Sequence, residues 1–183
     1  MKQILFLFLS LHALINAFAQ SRTYKPFKLD LAIGLLFPTG NTFLDERFLF
    51  AMEPKYNLTD QLSLGLRMEV APYTNFAGSS NEFVVKSVSS YLLTSDYFFN
   101  NAKKFRPFIG IGTGIFLQTI RSNGFPIVTT KEKKFGLETR VGLERNHFRL
   151  ALEYNTTFNN QESKMNYISL KMGVFLWGNR KSN

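Results

Sequence analysis

The side chains able to do chemistry in this chain are carboxylates and long cations, and they are spaced evenly. Lys28 and Asp30, Arg47 and Glu53, Arg67 and Glu69, Glu138 and Arg140, and Arg149 and Glu153 each lie an even number of positions apart. Lys55, Glu144 and Lys171 keep the parity of their own segments, and so do Lys86 and Asp96. Even spacing puts side chains on one face of a β-strand. Carboxylates gathered on such a face can form a perturbed acid–base pair. They can also be the charge-balanced filling of a closed interior, and the mixture of signs favours that reading. A general base is wanting: His147 falls in the tight turn Arg145-Asn146-His147, where it reads as a solvated turn residue. The chain has no cysteine, which excludes disulfides and thiolate chemistry, and its His, Asp and Glu residues lack metal-ligand spacing. Gly110-Ile111-Gly112-Thr113-Gly114 suggests a dinucleotide loop, but the alternation continues through Ile115 to Leu117 where a helix would have to start. No catalytic, cofactor or metal site is therefore expected, and the chain is not expected to be an enzyme.

The compartment is set by the N-terminus. Lys2 precedes an apolar run from Ile4 to Ile15, broken only by Ser10 and His12, and Asn16-Ala17-Phe18-Ala19 supplies a small-x-small cleavage pattern. Residues 1–19 read as an export signal, leaving 20–183 as one domain. The net charge of +9 would suit nucleic acid, but an exported chain meets phosphate-bearing lipid instead, so nucleic acid is not expected as a partner. Twenty Phe, seven Tyr and one Trp are a heavy aromatic load, yet no long apolar stretch follows residue 19. Those rings must sit in a core or face lipid.

Eight segments alternate with the period of a strand: Phe27 to Phe37, Arg47 to Leu58, Leu62 to Val70, Phe83 to Phe98, Arg106 to Ile120, Lys134 to Glu144, Phe148 to Phe158 and Met165 to Leu176. Ser87 and Ser89 break the apolar face of the fourth, and Pro54 removes a ladder donor from the second. Short connectors (Thr59–Gln61, Phe99–Phe105, Arg145–His147) alternate with longer polar ones (Pro38–Glu46, Tyr73–Glu82, Arg121–Lys133, Asn159–Lys164). Soluble and membrane barrels share this alternation. Strand length separates them, because a tilted membrane strand needs about 9–11 residues whereas soluble strands average about 5–6. The charged face, studded with Gly34, Gly65, Gly110, Gly112, Gly114, Gly136, Gly142 and Gly173, suits a narrow lumen. Aromatic residues gather at both strand ends, as interfacial girdles do. The expected fold is all-β: an eight-stranded antiparallel up-and-down transmembrane barrel.

Asp96-Tyr97-Phe98-Phe99, followed by Phe105-Arg106-Pro107-Phe108 and the alternating glycines, resembles a hairpin of the small outer-membrane β-barrels of OmpX/OmpA-like and OmpW-like kind. Phe135-Gly136-Leu137, Val141-Gly142-Leu143-Glu144 and Leu152-Glu153-Tyr154 continue the likeness. The resemblance implies an outer-membrane location and an insertion signal in the last strand. There Leu176 stands where an aromatic is expected, and Trp177 has the opposite parity.

The functional expectation is a structural or interaction barrel whose lumen is plugged by Lys28, Asp30, Arg47, Glu53, Lys55, Arg67, Glu69, Lys86, Glu138, Arg140, Glu144, Arg149, Glu153 and Lys171. Its partners would be outer-membrane lipid or lipopolysaccharide, with surface polymer or another envelope protein beside them. Arg121, Lys131, Lys133 and Lys134 are the candidate contacts for lipopolysaccharide phosphates. The competing readings are a narrow channel or lateral-path transporter for small molecules, which the OmpW-like resemblance implies, and a lipid-modifying enzyme.

Overall fold

The computed structural model describes residues 23–39, 47–77, 82–99, 105–122, 128–158 and 166–178. The export-signal reading of residues 1–19 lies outside the described residues, as do the side chains of Lys86 and Arg121. The described residues form eight strands: β1 (Phe27–Pro38), β2 (Arg47–Asn57), β3 (Leu62–Ala77), β4 (Glu82–Phe98), β5 (Phe105–Ser122), β6 (Val128–Arg145), β7 (Phe148–Phe158) and β8 (Tyr167–Trp177). Each pairs antiparallel with the next, and β8 pairs with β1 to close the barrel. Closure leaves the barrel without sheet edges over its common height.

The alternation seen in the sequence becomes an inside and an outside. In β7, Arg149, Ala151, Glu153, Asn155 and Thr157 are buried while Phe148, Leu150, Leu152 and Tyr154 are exposed. Glu138 is 0% exposed, whereas Leu66 is 60% and Leu93 58% exposed. Charges therefore fill the interior and large apolar side chains cover the wall on every strand. An apolar surface this continuous exceeds what water-soluble monomers present, and it matches a lipid-facing belt.

The registers give the tilt. A row of outward residues runs Phe105, Arg145, Phe148, Val174, Leu31, Met52, Met68 and Tyr91, each the partner of the last, and returns to β5 at Ile115. One circuit thus climbs ten residues along β5. Such a stagger accompanies a strand tilt of about 35–45° and an interior just wide enough for side chains to fill.

Three features depart from the sequence reading. First, β3 continues to Ala77 and β6 begins at Val128, so parts of the two longest expected loops are strand. There the strands stand beyond the apolar belt, and without lipid the apolar period that marks a strand disappears. The two serines follow from this. Ser87 lies in a row with Pro72, Thr119 and Lys131, one step above the row of Val70, Ser89, Leu117 and Lys133. Second, the β2–β3 register runs through Met52↔Met68 and resumes at Lys55↔Gly65, spanning Pro54. Third, Trp177 has a positive φ of 59°, which resets the alternation. Phe175 is buried, and both Leu176 and Trp177 face outward. The ring of Trp177 lies 5.9 Å from that of Phe27 across the closing seam, so an aromatic does stand on the outward face at the turn-side end of β8.

Candidate functional site: the lumen and its rims

The lumen is stacked in three layers. Toward the long loops, Leu36, Leu49, Ala71, Val88, Leu92, Phe116 and Tyr167 form a buried apolar cluster. Phe116 and Tyr167 pack edge to face, with centroids 6.4 Å apart. These rings need glycine beside them: a Cβ at Gly136 would meet Phe116, and one at Gly142 would meet Phe108 in the lower layer. The glycines of the charged face leave room that long Arg and Glu side chains could be expected to fill. Charged side chains do fill it at Gly65 and Gly110, whereas aromatic rings fill it at Gly136 and Gly142.

The middle layer is ionic. Arg67 Nη1 lies 2.7 Å from Glu138 Oε2 and 2.6 Å from Glu153 Oε2, and Nη2 is 3.0 Å from Glu53 Oε2. Arg140 donates through Nε to Asp96 at 2.6 Å and through Nη2 to Glu53 at 2.8 Å. Arg149 bridges Asp96 at 2.9 Å and Glu144 at 2.7 Å. Lys55 reaches Asp96 at 2.6 Å and Asp30 at 2.8 Å, while Lys28 pairs with Glu144 and Asp30. Lys171 pairs with Glu69 and Glu153, and the Tyr167 hydroxyl donates to Glu69 at 2.8 Å. Each cation thus touches at least two acceptors, the condition under which buried charge is tolerated. A cavity of about 20 Å³ remains among Asp30, Glu53, Arg67, Arg149, Glu153 and Lys171, with room for about one water.

Most of the expected lumen residues therefore meet in one network. Arg47 is buried on the loop side of it, and the Lys86 side chain lies outside the described residues. Asp96 is a hub that joins Lys55, Arg140 and Arg149, a centrality that its place in an irregular segment did not reveal. Arg106 was also overlooked, although it shares the parity of Gly110 and Gly112.

The turn-side layer is aromatic. Phe98, Phe108 and Ala151 cluster there, and cations lie on the rings. Lys28 Nζ is 4.1 Å from the Phe175 centroid and the Arg149 guanidinium 3.7 Å from that of Phe108. His147, an exposed turn residue, places Nδ1 3.1 Å from the Phe175 carbonyl oxygen. Among the described residues no group of His, Asp and Glu is arranged to hold a metal ion.

No family model matches the sequence, and no curated protein does. Solved structures match the fold. Ail of Yersinia pestis, in complex with the heparin analogue sucrose octasulfate, is 11% identical with a TM-score of 0.57, covering 85% of this chain and 100% of that one. Neisserial surface protein A is 14% identical with a TM-score of 0.56, covering 84% and 98%. The N-terminal β-barrel domain of Pseudomonas aeruginosa OprF is 15% identical with a TM-score of 0.50, covering 84% and 99%. The fold is that of the small outer-membrane β-barrels.

In a barrel of this type the wall above the apolar belt meets lipid headgroups. Lys131 and Lys133 stand there, exposed, on the outer face of β6 two and four residues beyond the girdle residue Phe135. Lys134 does not join them. It is buried on the inner face, 3.0 Å from Glu132, because its parity is that of Glu138 and Arg140. The Arg121 side chain lies outside the described residues.

Proposed function

We propose that this protein is a plugged outer-membrane scaffold that acts through its loop-side surface rather than through its lumen. Residues 1–19 serve as the export signal and 20–183 as the barrel. The single observation that carries the reading is the filled interior: an apolar layer, an ion-pair layer and an aromatic layer in series, with space for about one water in the ionic layer. The luminal ion-pair network is structural, tying strands together across the lumen. It performs no catalysis, since His147 is exposed on a turn while the carboxylates are buried in the lumen.

The partner surface is the outer face of β5 and β6 above the belt. Lys131 and Lys133, with the hydroxyls of Ser87 and Thr119 in the row of Lys131, suit the phosphates of lipopolysaccharide. A sulfated or phosphorylated surface polymer offers the same anionic chemistry, as the sucrose octasulfate held by Ail does for that protein. Planar-bilayer recordings of the refolded protein test the reading. Silent membranes are expected, and steady reproducible single-channel currents would replace the scaffold with a transport channel.

A further inference from the structure

The chain just before β1 lies over the turn-side mouth of the lumen. The N–H groups of Thr23 and Tyr24 donate to the Asp60 carboxylate, in the β2–β3 turn, at 2.9 to 3.1 Å. The Asn57 side chain donates to the Lys25 carbonyl at 2.7 Å, and Arg106 of β5 donates to the Asp60 carbonyl at 2.8 Å. Tyr24 is 7% exposed, with its ring centroid 3.7 Å from the Arg106 guanidinium, which also lies 4.1 Å from that of Phe98.

This attachment differs in kind from that of the barrel. From Phe27 onward β1 is held by two ladders. Residues 23–26 lie outside those ladders and are bonded to Asn57 and Asp60, the Asn57 N–H donating to the Pro26 carbonyl at 2.7 Å, with Tyr24 stacked on the Arg106 guanidinium. A four-residue segment ahead of the first strand opens locally at a free energy far below that of the whole fold. Behind them stand Arg106 and Lys28, beside Phe98 and Phe175.

We propose that residues Thr23–Pro26 form a lid over a turn-side vestibule, which opens to small anions of that compartment while the barrel stays closed. Arg106 and Lys28, which share Glu144, are the groups that the lid uncovers, and an entering anion would compete with that carboxylate for them. The ionic and apolar layers above remain in place, so the lid governs a pocket and not a through-path.

The absence of native cysteine makes thiol labelling a clean test. Ser63 points inward beside Asn57 and Asp96, is 1% exposed, and differs from cysteine by one atom. The refolded Ser63→Cys protein is treated with a negatively charged methanethiosulfonate, and the labelling rate is followed together with the gel migration of the folded barrel. Tyr24→Ala should raise the rate roughly tenfold, and Asp60→Asn by less, with folded migration retained. Ser90→Cys, inward beyond the ionic layer, should stay unlabelled in every background. Equal rates with and without the lid substitutions would overturn the proposal, as would labelling that appears only when folded migration is lost. Labelling of Ser90→Cys at the Ser63→Cys rate would overturn it in favour of a leak through the lumen. Should Tyr24→Ala fail to fold, Asp60→Asn decides alone, because it alters only a rim contact.

Discussion

Arg140 and Asp96 meet above Gly110: the two charged residues sit on β6 and β4, and the glycine is the register partner of both on the strand between them. Arg140 Nε is 2.6 Å from Asp96 Oδ1, and a Cβ on Gly110 would collide with both side chains. The contact thus spans three strands, and Glu53 of β2 extends it to a fourth through its bonds to Arg140.

Removing that cation should be costly. Arg140→Met leaves Asp96 and Glu53 buried with fewer donors, and breaking such a pair typically costs about 3–5 kcal/mol. Urea titration of the refolded variant in liposomes, read from the folded-barrel band, should show a correspondingly lower midpoint. An unchanged midpoint would mean that the network contributes nothing to stability.

The outward face makes an opposite demand. Leu66→Arg, on the lipid-facing wall, should destabilise the barrel by about 2–4 kcal/mol if that position stands near the bilayer midplane. On a water-facing wall the same change would stay within about 0.5 kcal/mol. The two outcomes are far enough apart for equilibrium unfolding in vesicles to separate them.

At the loop-side rim, Lys131→Gln combined with Lys133→Gln should weaken binding to purified lipopolysaccharide by roughly tenfold or more, since each surface cation near anionic headgroups contributes about 1 kcal/mol. Raising the salt should shrink the difference. Lys134→Gln should have a smaller effect, because that side chain faces inward beside Glu132. Equal binding by the double variant and the parent would remove this surface from the function.

Asp60 gives a pH dependence with a defined sign. Burial is the largest single influence and raises its pKa, but the N–H groups of Thr23 and Tyr24 and the nearby Arg106 charge together outweigh it and hold the carboxyl below its ordinary value. The contribution to holding residues 23–26 is therefore complete above the ordinary carboxylate range and fades as pH falls through the lowered value. Nuclear magnetic resonance titration should show the Thr23 and Tyr24 amides shifting together with the Asp60 carboxyl. Asp60→Asn should abolish the shift, and amides that titrate regardless would assign the effect to another group.

Strand identity, facing and turn positions were legible in residue order, because a period of two and a handful of turn residues are local properties. The parity of Lys28, Glu53 and Arg140 alone says that they share a face. The outer halves of β3 and β6 were hidden because they leave the lipid, and apolar alternation signals a strand only where one face meets hydrocarbon. Trp177 was misjudged because a single left-handed residue cancels parity.

Tertiary structure alone decided which charges pair. Asp96 reaches Arg140 through the registers of three adjoining strands, and it reaches Arg149 because the strands close with a ten-residue stagger, which sets the height of every inward side chain against those across the lumen. Stagger is a property of the whole ring of ladders and no single strand carries it. The same holds for the lid, where Tyr24 finds Arg106 far along the chain. Sequence order determined what each strand shows to lipid and to the lumen. Closure determined what meets inside.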